Sequence, residues 1–157
     1  MLAAASWLIG HWNASRVDSR IRAELGAQAV SIAAAAEAPS PRGFRFDEED
    51  YHNPVFQRVH RQLKDYLPVT GARSIYTMAE RGGQYVFGPE SCVPGTDLHA
   101  PPGTPFLHPP PELAGAFGTL QPVVAGPYTD EYGTWLSAFA PIQDQRTGAG
   151  SDGRDGH

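Results

Sequence analysis

The nine residues from Thr134 to Ile142, TWLSAFAPI, constrain this chain more than any other stretch. Trp135, Ser137 and Phe139 fall on one side, and Leu136, Ala138 and Ala140 on the other. A repeat of two belongs to a strand, whose successive side chains leave opposite faces of the backbone. Such a strand presents one face to a helix layer and the other to whatever lies across the sheet. Turn residues bracket it: Pro127, Asp130 and Gly133 before, and Pro141, Asp144 and Gly148 after. From Gly126 to Thr147 the pattern is therefore turn, strand, turn.

A chain of 157 residues forms one domain at most and buries about two-thirds of the surface its unfolded form exposes. Its net charge of −5, with no stripe of Lys and Arg, excludes a nucleic-acid partner. The single cysteine, Cys92, rules out an internal disulfide and any CxxC zinc or redox site.

Upstream, Ser15 to Ala36 has the spacing of a long amphipathic helix, with Val17, Ile21, Leu25, Gln28 or Ala29, and Ile32 on one stripe. Arg20 and Glu24 form an i,i+4 pair opposite, and the helix stops before Pro39 and Pro41. Asp47, Glu48, Glu49 and Asp50 lie in an acidic connector. A calcium loop needs oxygens at alternating positions and a glycine turn, so these four read as a solvated loop and no metal site is expected. Asn53 caps a second helix that has Pro54 in its first turn and ends at Pro68. His52 and His60 are eight apart, which fits no HxxxH or HExxH pair, so both read as surface histidines.

Ala72 to Ala79 and Gln84 to Phe87 form a hairpin around Gly82 and Gly83, which supply the positive φ of a tight turn. Ser74, Tyr76 and Met78 share one face, Ile75 and Thr77 the other. Glu90 to Pro111 holds seven prolines and two glycines without a period. A structureless connection of that length inside a compact domain is a lid or a binding loop. Pro110 to Phe117 reads as a short helix, and Thr119 to Ala125 as a strand at an edge or bulge because of Pro122. The end, GAGSDGRDGH from Gly148, reads as a disordered tail.

The run YTDEYGTWLSAFAPIQDQRTG, Tyr128 to Gly148, resembles the late strand and turn of extracytoplasmic PAS-like sensor domains, the Cache group of bacterial and archaeal histidine kinases and diguanylate cyclases. ARSIYTMAERGGQYVFGPES, Ala72 to Ser91, resembles the first hairpin of the same sheet. The likeness spans residues 15–148 and is one of family rather than of catalytic signature. It implies an α+β fold: a PAS-like antiparallel sheet with a long N-terminal helix packed along it. The family carries a further apolar strand after Thr147-Gly148. The tail takes its place here, so the resemblance implies a sheet missing its last strand and a fragment or reading-frame change near residue 149. Met1 to Trp12, MLAAASWLIGHW, is about half the length a spanning helix needs. The resemblance makes residues 1–14 the outer end of a transmembrane helix; length alone makes them an apolar helix start. The expected organisation is thus 1–14 membrane helix, 15–148 sensor domain and 149–157 tail.

Chemistry is sparse. Ser137 sits mid-strand with no GxSxG, Arg81-Gly82-Gly83 is a hairpin rather than a phosphate loop, and kinase or cyclase motifs are absent. A Cys92 pair with His99 or His108 is not demanded by spacing, so no catalytic residue and no cofactor is assigned. A concave sheet beneath a long loop suits a small ligand. Its lining is expected from Tyr76, Met78, Tyr85, Phe87, Trp135 and Ser137, with Arg73, Arg81 and Asp97 to fix a charged group; the aromatics read equally as plain core. The Tyr, Arg-Trp-Tyr and Asp signature of amine-sensing Cache domains is not found, so the ligand class stays open. The expected function is extracytoplasmic small-molecule sensing at the cell membrane. The chain would be a homodimer tethered through the N-terminal helix, with any kinase or cyclase output in a domain downstream. The alternative is a secreted or periplasmic solute-binding or interaction module without signalling output, and a small hydrolase comes third.

Overall fold

The computed structural model describes residues 2–8, 19–36 and 43–142. They form an α+β fold around one antiparallel sheet. In chain order come strand β1 (Leu2–Leu8), helix α1 (Ser19–Ala35), a short 3-10 helix (Glu48–His52), α2 (Pro54–Thr70), β2 (Ser74–Arg81), β3 (Gln84–Glu90), α3 (Pro111–Thr119), β4 (Val123–Asp130) and β5 (Gly133–Pro141). The sheet order is β3-β2-β1-β5-β4. Two local hairpins, β2–β3 and β4–β5, are thus joined through β1, which pairs antiparallel with β2 on one side and β5 on the other.

Alternation decides which layer each side chain enters. Leu136, Ala138, Ala140 and Ile142 face α1 and pack on its Leu25, Ala29 and Ala33 and on Ala36 just past its end. Lower on the same face, Ile75 meets Phe56, Val59 and Leu63 of α2, together with Phe44 and Ile32. Tyr76, Met78, Phe87, Ala125 and Phe139 point the other way, with Leu2 and Ala4, into a core closed by Leu113 and Ala116 of α3 and by Ala100 and Phe106 of the proline-rich loop. Helices α1 and α2 therefore cover one face, and α3 with the loop covers the other.

Both ends of α2 are capped. Asn53 accepts the Val55 amide at 2.9 Å as N-cap, and Gly71, at φ 68°, closes the C-terminus through its amide to the Leu67 carbonyl. Pro68 does not end α2. It lies in the last turn, where a missing amide costs one bond, and the helix runs on to Thr70. The β2–β3 turn has Gly82 and Gly83 at φ 57° and 78°, the two positive values a two-residue hairpin loop needs.

The N-terminus departs from expectation. Leu2–Leu8 is the central strand of the sheet rather than the outer end of a membrane helix, and the domain therefore begins before residue 15. Register explains the fit. Ala4 sits between Tyr76 and Phe139, a small residue between two large ones, and both Leu2 and Ala4 are fully buried. Seven residues suit a strand and fall far short of a spanning helix. No helix among the described residues is long and apolar enough to cross a membrane. The sheet has five strands with its centre filled by β1, so the described sheet has no gap at the position beside β2 and β5. The expected tail, the start of the first helix and any strand after residue 142 lie outside the described residues.

Another boundary moves. Pro127 to Asp130, read as turn, continue β4 as an edge strand with a bulge between Ala125 and Tyr128, so the tight turn is only Glu131 and Tyr132. At the other edge, β3 is covered by the loop: Phe87 donates to the Thr104 carbonyl at 3.0 Å, and Gly103 and Phe106 donate to the Phe87 and Tyr85 carbonyls, each at 2.8 Å.

Candidate functional site

The sheet face beneath the proline-rich loop contains a small cavity of about 30 Å³ between Ser74, Tyr76, Phe87, Leu98, Asp130, Tyr132 and Trp135. That volume holds a water or two; ligand pockets are about ten times larger. The walls are rings held at fixed angles: Phe87 meets Tyr76 edge-on at 5.2 Å and Tyr132 edge-on at 6.0 Å, and tilts against Phe106 of the loop at 5.4 Å.

Asp130 anchors this end. Its Oδ1 accepts the amides of Tyr132 (2.8 Å) and Gly133 (3.1 Å) and the indole N–H of Trp135 (2.9 Å), while none of these donors falls on Oδ2. The β4–β5 turn and the tryptophan orientation are therefore set by one carboxylate. Burial raises its pKa, against the pull of these donors.

Of the residues expected from sequence, the cavity brings together Tyr76, Phe87 and Trp135. Met78 and Ser137 are on the same face but fully buried beside it, Ser137 sharing a 2.8 Å hydrogen bond with the Tyr128 hydroxyl. Tyr85 stacks on Phe117 of α3 at 4.8 Å, away from the cavity wall. The three charged candidates do not converge. Arg81 crosses to the opposite face, where it donates to the Phe44 carbonyl at 3.0 Å and lies over the Phe46 ring at 4.7 Å. Its position in the strand, odd where Tyr76 and Met78 are even, sends it there. Arg73 and Asp97 are exposed and line no part of the cavity.

A polar cluster not read from the sequence lies at the base of the loop. Glu90, at the end of β3, is 4% exposed. Its Oε1 meets His99 Nδ1 and accepts the Ala100 amide at 3.0 Å, and His99 Nε2 lies 2.9 Å from the Tyr51 hydroxyl. His60 of α2, expected on the surface, hydrogen-bonds through Nδ1 to the Glu90 carbonyl. Burial pushes the Glu90 carboxyl up to about 8, against the Ala100 amide. Burial and the neighbouring His60 lower His99. Tyr51 is raised by burial, then by Glu90 and Glu48. The only sequence signal for this cluster is a glutamate at the end of an apolar strand, nine residues before a histidine.

Neither histidine of the loop pairs with Cys92. The thiol is buried, hydrogen-bonded to Ser74 Oγ at 3.3 Å, and raised in pKa chiefly by burial, the opposite of an activated nucleophile. His108 instead meets Glu131 at 3.2 Å on the surface. Glu131 also accepts the Leu107 amide at 3.0 Å. Burial would raise Glu131, but the Leu107 amide, its own amide and His108 outweigh it and hold the carboxyl low. The loop is therefore tied at both ends, to Glu90 and to Glu131. In the acidic connector, Asp47 caps the 3-10 helix through the Glu49 amide, and Asp50 turns inward to accept the Arg45 and Phe46 amides at 3.0 and 2.7 Å. Among the described residues no group of three His, Cys, Asp or Glu side chains could hold a metal ion. Comparison of the chain with protein-family models, with curated proteins and with solved structures finds no match.

Proposed function

We propose that this chain is a PAS-like small-molecule sensing domain, working on the extracytoplasmic side of a membrane-bound histidine kinase or diguanylate cyclase. The observation that carries the reading is the aromatic cavity, with Asp130 in its wall, lying under a loop on the sheet face opposite α1. The segment that resembles the sensor family, YTDEYGTW, supplies Asp130, Tyr132 and Trp135 to that wall.

A ligand larger than water requires the loop to lift and the cavity to widen. The carboxylate favours a compound offering hydrogen-bond donors. Widening one face shifts the sheet against α1 on the other, and in a homodimer that displacement biases a two-state output. The chain itself performs no chemistry in this reading; output belongs to a separate kinase or cyclase domain.

The test is a thermal-shift screen of the whole chain against amino acids, amines and carboxylates. A binder at 100 times its Kd adds about 2.7 kcal/mol, or roughly 5–11 °C for a domain of this size. The shift should shrink in Asp130→Asn. A panel that never moves the wild-type transition overturns the reading.

One observation favours the second reading, a secreted or periplasmic solute-binding module without signalling output. Leu2–Leu8 is built into the sheet and is not available as a membrane anchor. Fractionation of the native protein separates the two: recovery with membranes supports the sensor, recovery in the soluble fraction supports the module.

A further inference from the structure

We propose that the Tyr51–His99–Glu90 chain is a proton-operated latch, holding the loop over the Trp135 cavity in mildly acid solution and releasing it as pH rises. The latch goes beyond the sensing reading and stands whether or not the cavity takes a ligand.

The geometry has three parts. The chain links three separate elements: the 3-10 helix through Tyr51, the loop through His99, and the end of β3 through Glu90. Both titratable partners are enclosed, with side chains 11% and 5% exposed for His99 and Glu90. His99 adjoins Leu98, which is part of the cavity wall, and Ala100, whose amide is held by the same Glu90 oxygen and whose side chain is in the core. Freeing His99 therefore frees the segment that roofs the cavity.

Several other groups face the pair. His60 comes from α2, Glu48 lies beside Tyr51 in the 3-10 helix, and Cys92 and Arg73 sit at the strand ends. Tyr132, with Asp130 and Glu131 behind it, approaches from the β4–β5 turn. Tyr51, Cys92 and Tyr132 are all raised and stay neutral across the range considered.

Enclosure disfavours a net charge, so the closed pair keeps one proton between Glu90 and His99. It holds that proton up to about pH 8. In the open loop the two groups return to ordinary values of 4.5 and 6.5. Between those values the open pair also carries one proton, on histidine, and opening does not depend on pH. Above 6.5 the open form has lost its proton while the closed form retains it. Opening then gains up to about tenfold per pH unit, reaches about 16-fold by pH 8, and levels off near about 30-fold above about pH 9. Below 4.5 the open form takes up a second proton and opening grows again.

Amide hydrogen exchange on the whole chain tests this. Protection of Ala100, Gly103 and Phe106, corrected for intrinsic exchange, should fall about 8-fold from pH 6.5 to 8, while the Ala138 amide in β5 holds. Glu90→Gln keeps the acceptor for Ala100 but has no proton to lose, so its profile should be flat. A flat wild-type profile, a slope that survives in Glu90→Gln, or a parallel loss at Ala138 overturns the latch. Should Glu90→Gln fail to fold, the carboxyl carbon shift of Glu90 in the wild type decides. A midpoint near 8 supports the latch, and one near 4.5 refutes it.

Discussion

Replacing Asp130 with alanine removes the acceptor on which the β4–β5 turn and the cavity tryptophan converge. Trp135 is 3% exposed, so its indole N–H loses its carboxylate partner where water has little access. Leaving a buried donor unsatisfied costs about 1–3 kcal/mol. The Tyr132 and Gly133 amides are half-buried and partly rehydrate, adding about 0.5 kcal/mol each. Asp130→Ala should therefore destabilise the chain by about 2–4 kcal/mol, and Asp130→Asn, which keeps an oxygen at the same place, by about 1 kcal/mol. The decisive measurement is a double-mutant cycle with Trp135→Phe, which has no N–H to orphan. Urea unfolding followed by far-UV circular dichroism reads all four proteins without depending on tryptophan. The coupling should be about 1–2 kcal/mol. Equal losses from Asp130→Ala in the wild-type and Trp135→Phe backgrounds would show that the carboxylate acts on the turn alone.

Two other outcomes follow from the loop and its surroundings. Gly103 and Gly95 share a φ of 86°, but a methyl at Gly103 would lie 2.1 Å from the Phe46 carbonyl oxygen while one at Gly95 meets nothing. Gly95→Ala should cost about 1 kcal/mol for the backbone alone, and Gly103→Ala about 3 kcal/mol or more; equal melting temperatures would sink the argument. Cys92, buried with a raised pKa, should react slowly with a disulfide reagent in the native state and rapidly in urea. Fast native labelling would mean the loop base is open.

Strand parity carried most of what could be read in advance. Ser74, Tyr76 and Met78 share a face because the repeat is two, and the same rule sent Trp135, Ser137 and Phe139 together. The Asn53 cap and the Gly82-Gly83 turn are local signals and appear where local signals act. What did not show was set by distance along the chain. Leu2–Leu8 has an apolar composition compatible with helix or strand, and only its neighbours Tyr76 and Phe139 select the strand. Glu90 and His99 are ordinary as letters; folding the loop back over β3 makes them a pair. Arg73, Arg81 and Asp97 have the charge a ligand anchor needs, but position sends each of them elsewhere.

The placement of β1 has a consequence for assembly. Each hairpin can zip from its own turn, but the seam between them needs a partner drawn from the far end of the chain, Leu2 lying opposite both Met78 and Pro141. Closures this long are slow and late. The two halves should therefore melt as one body only while that seam is stitched. Unpicking it would split a single cooperative transition into two.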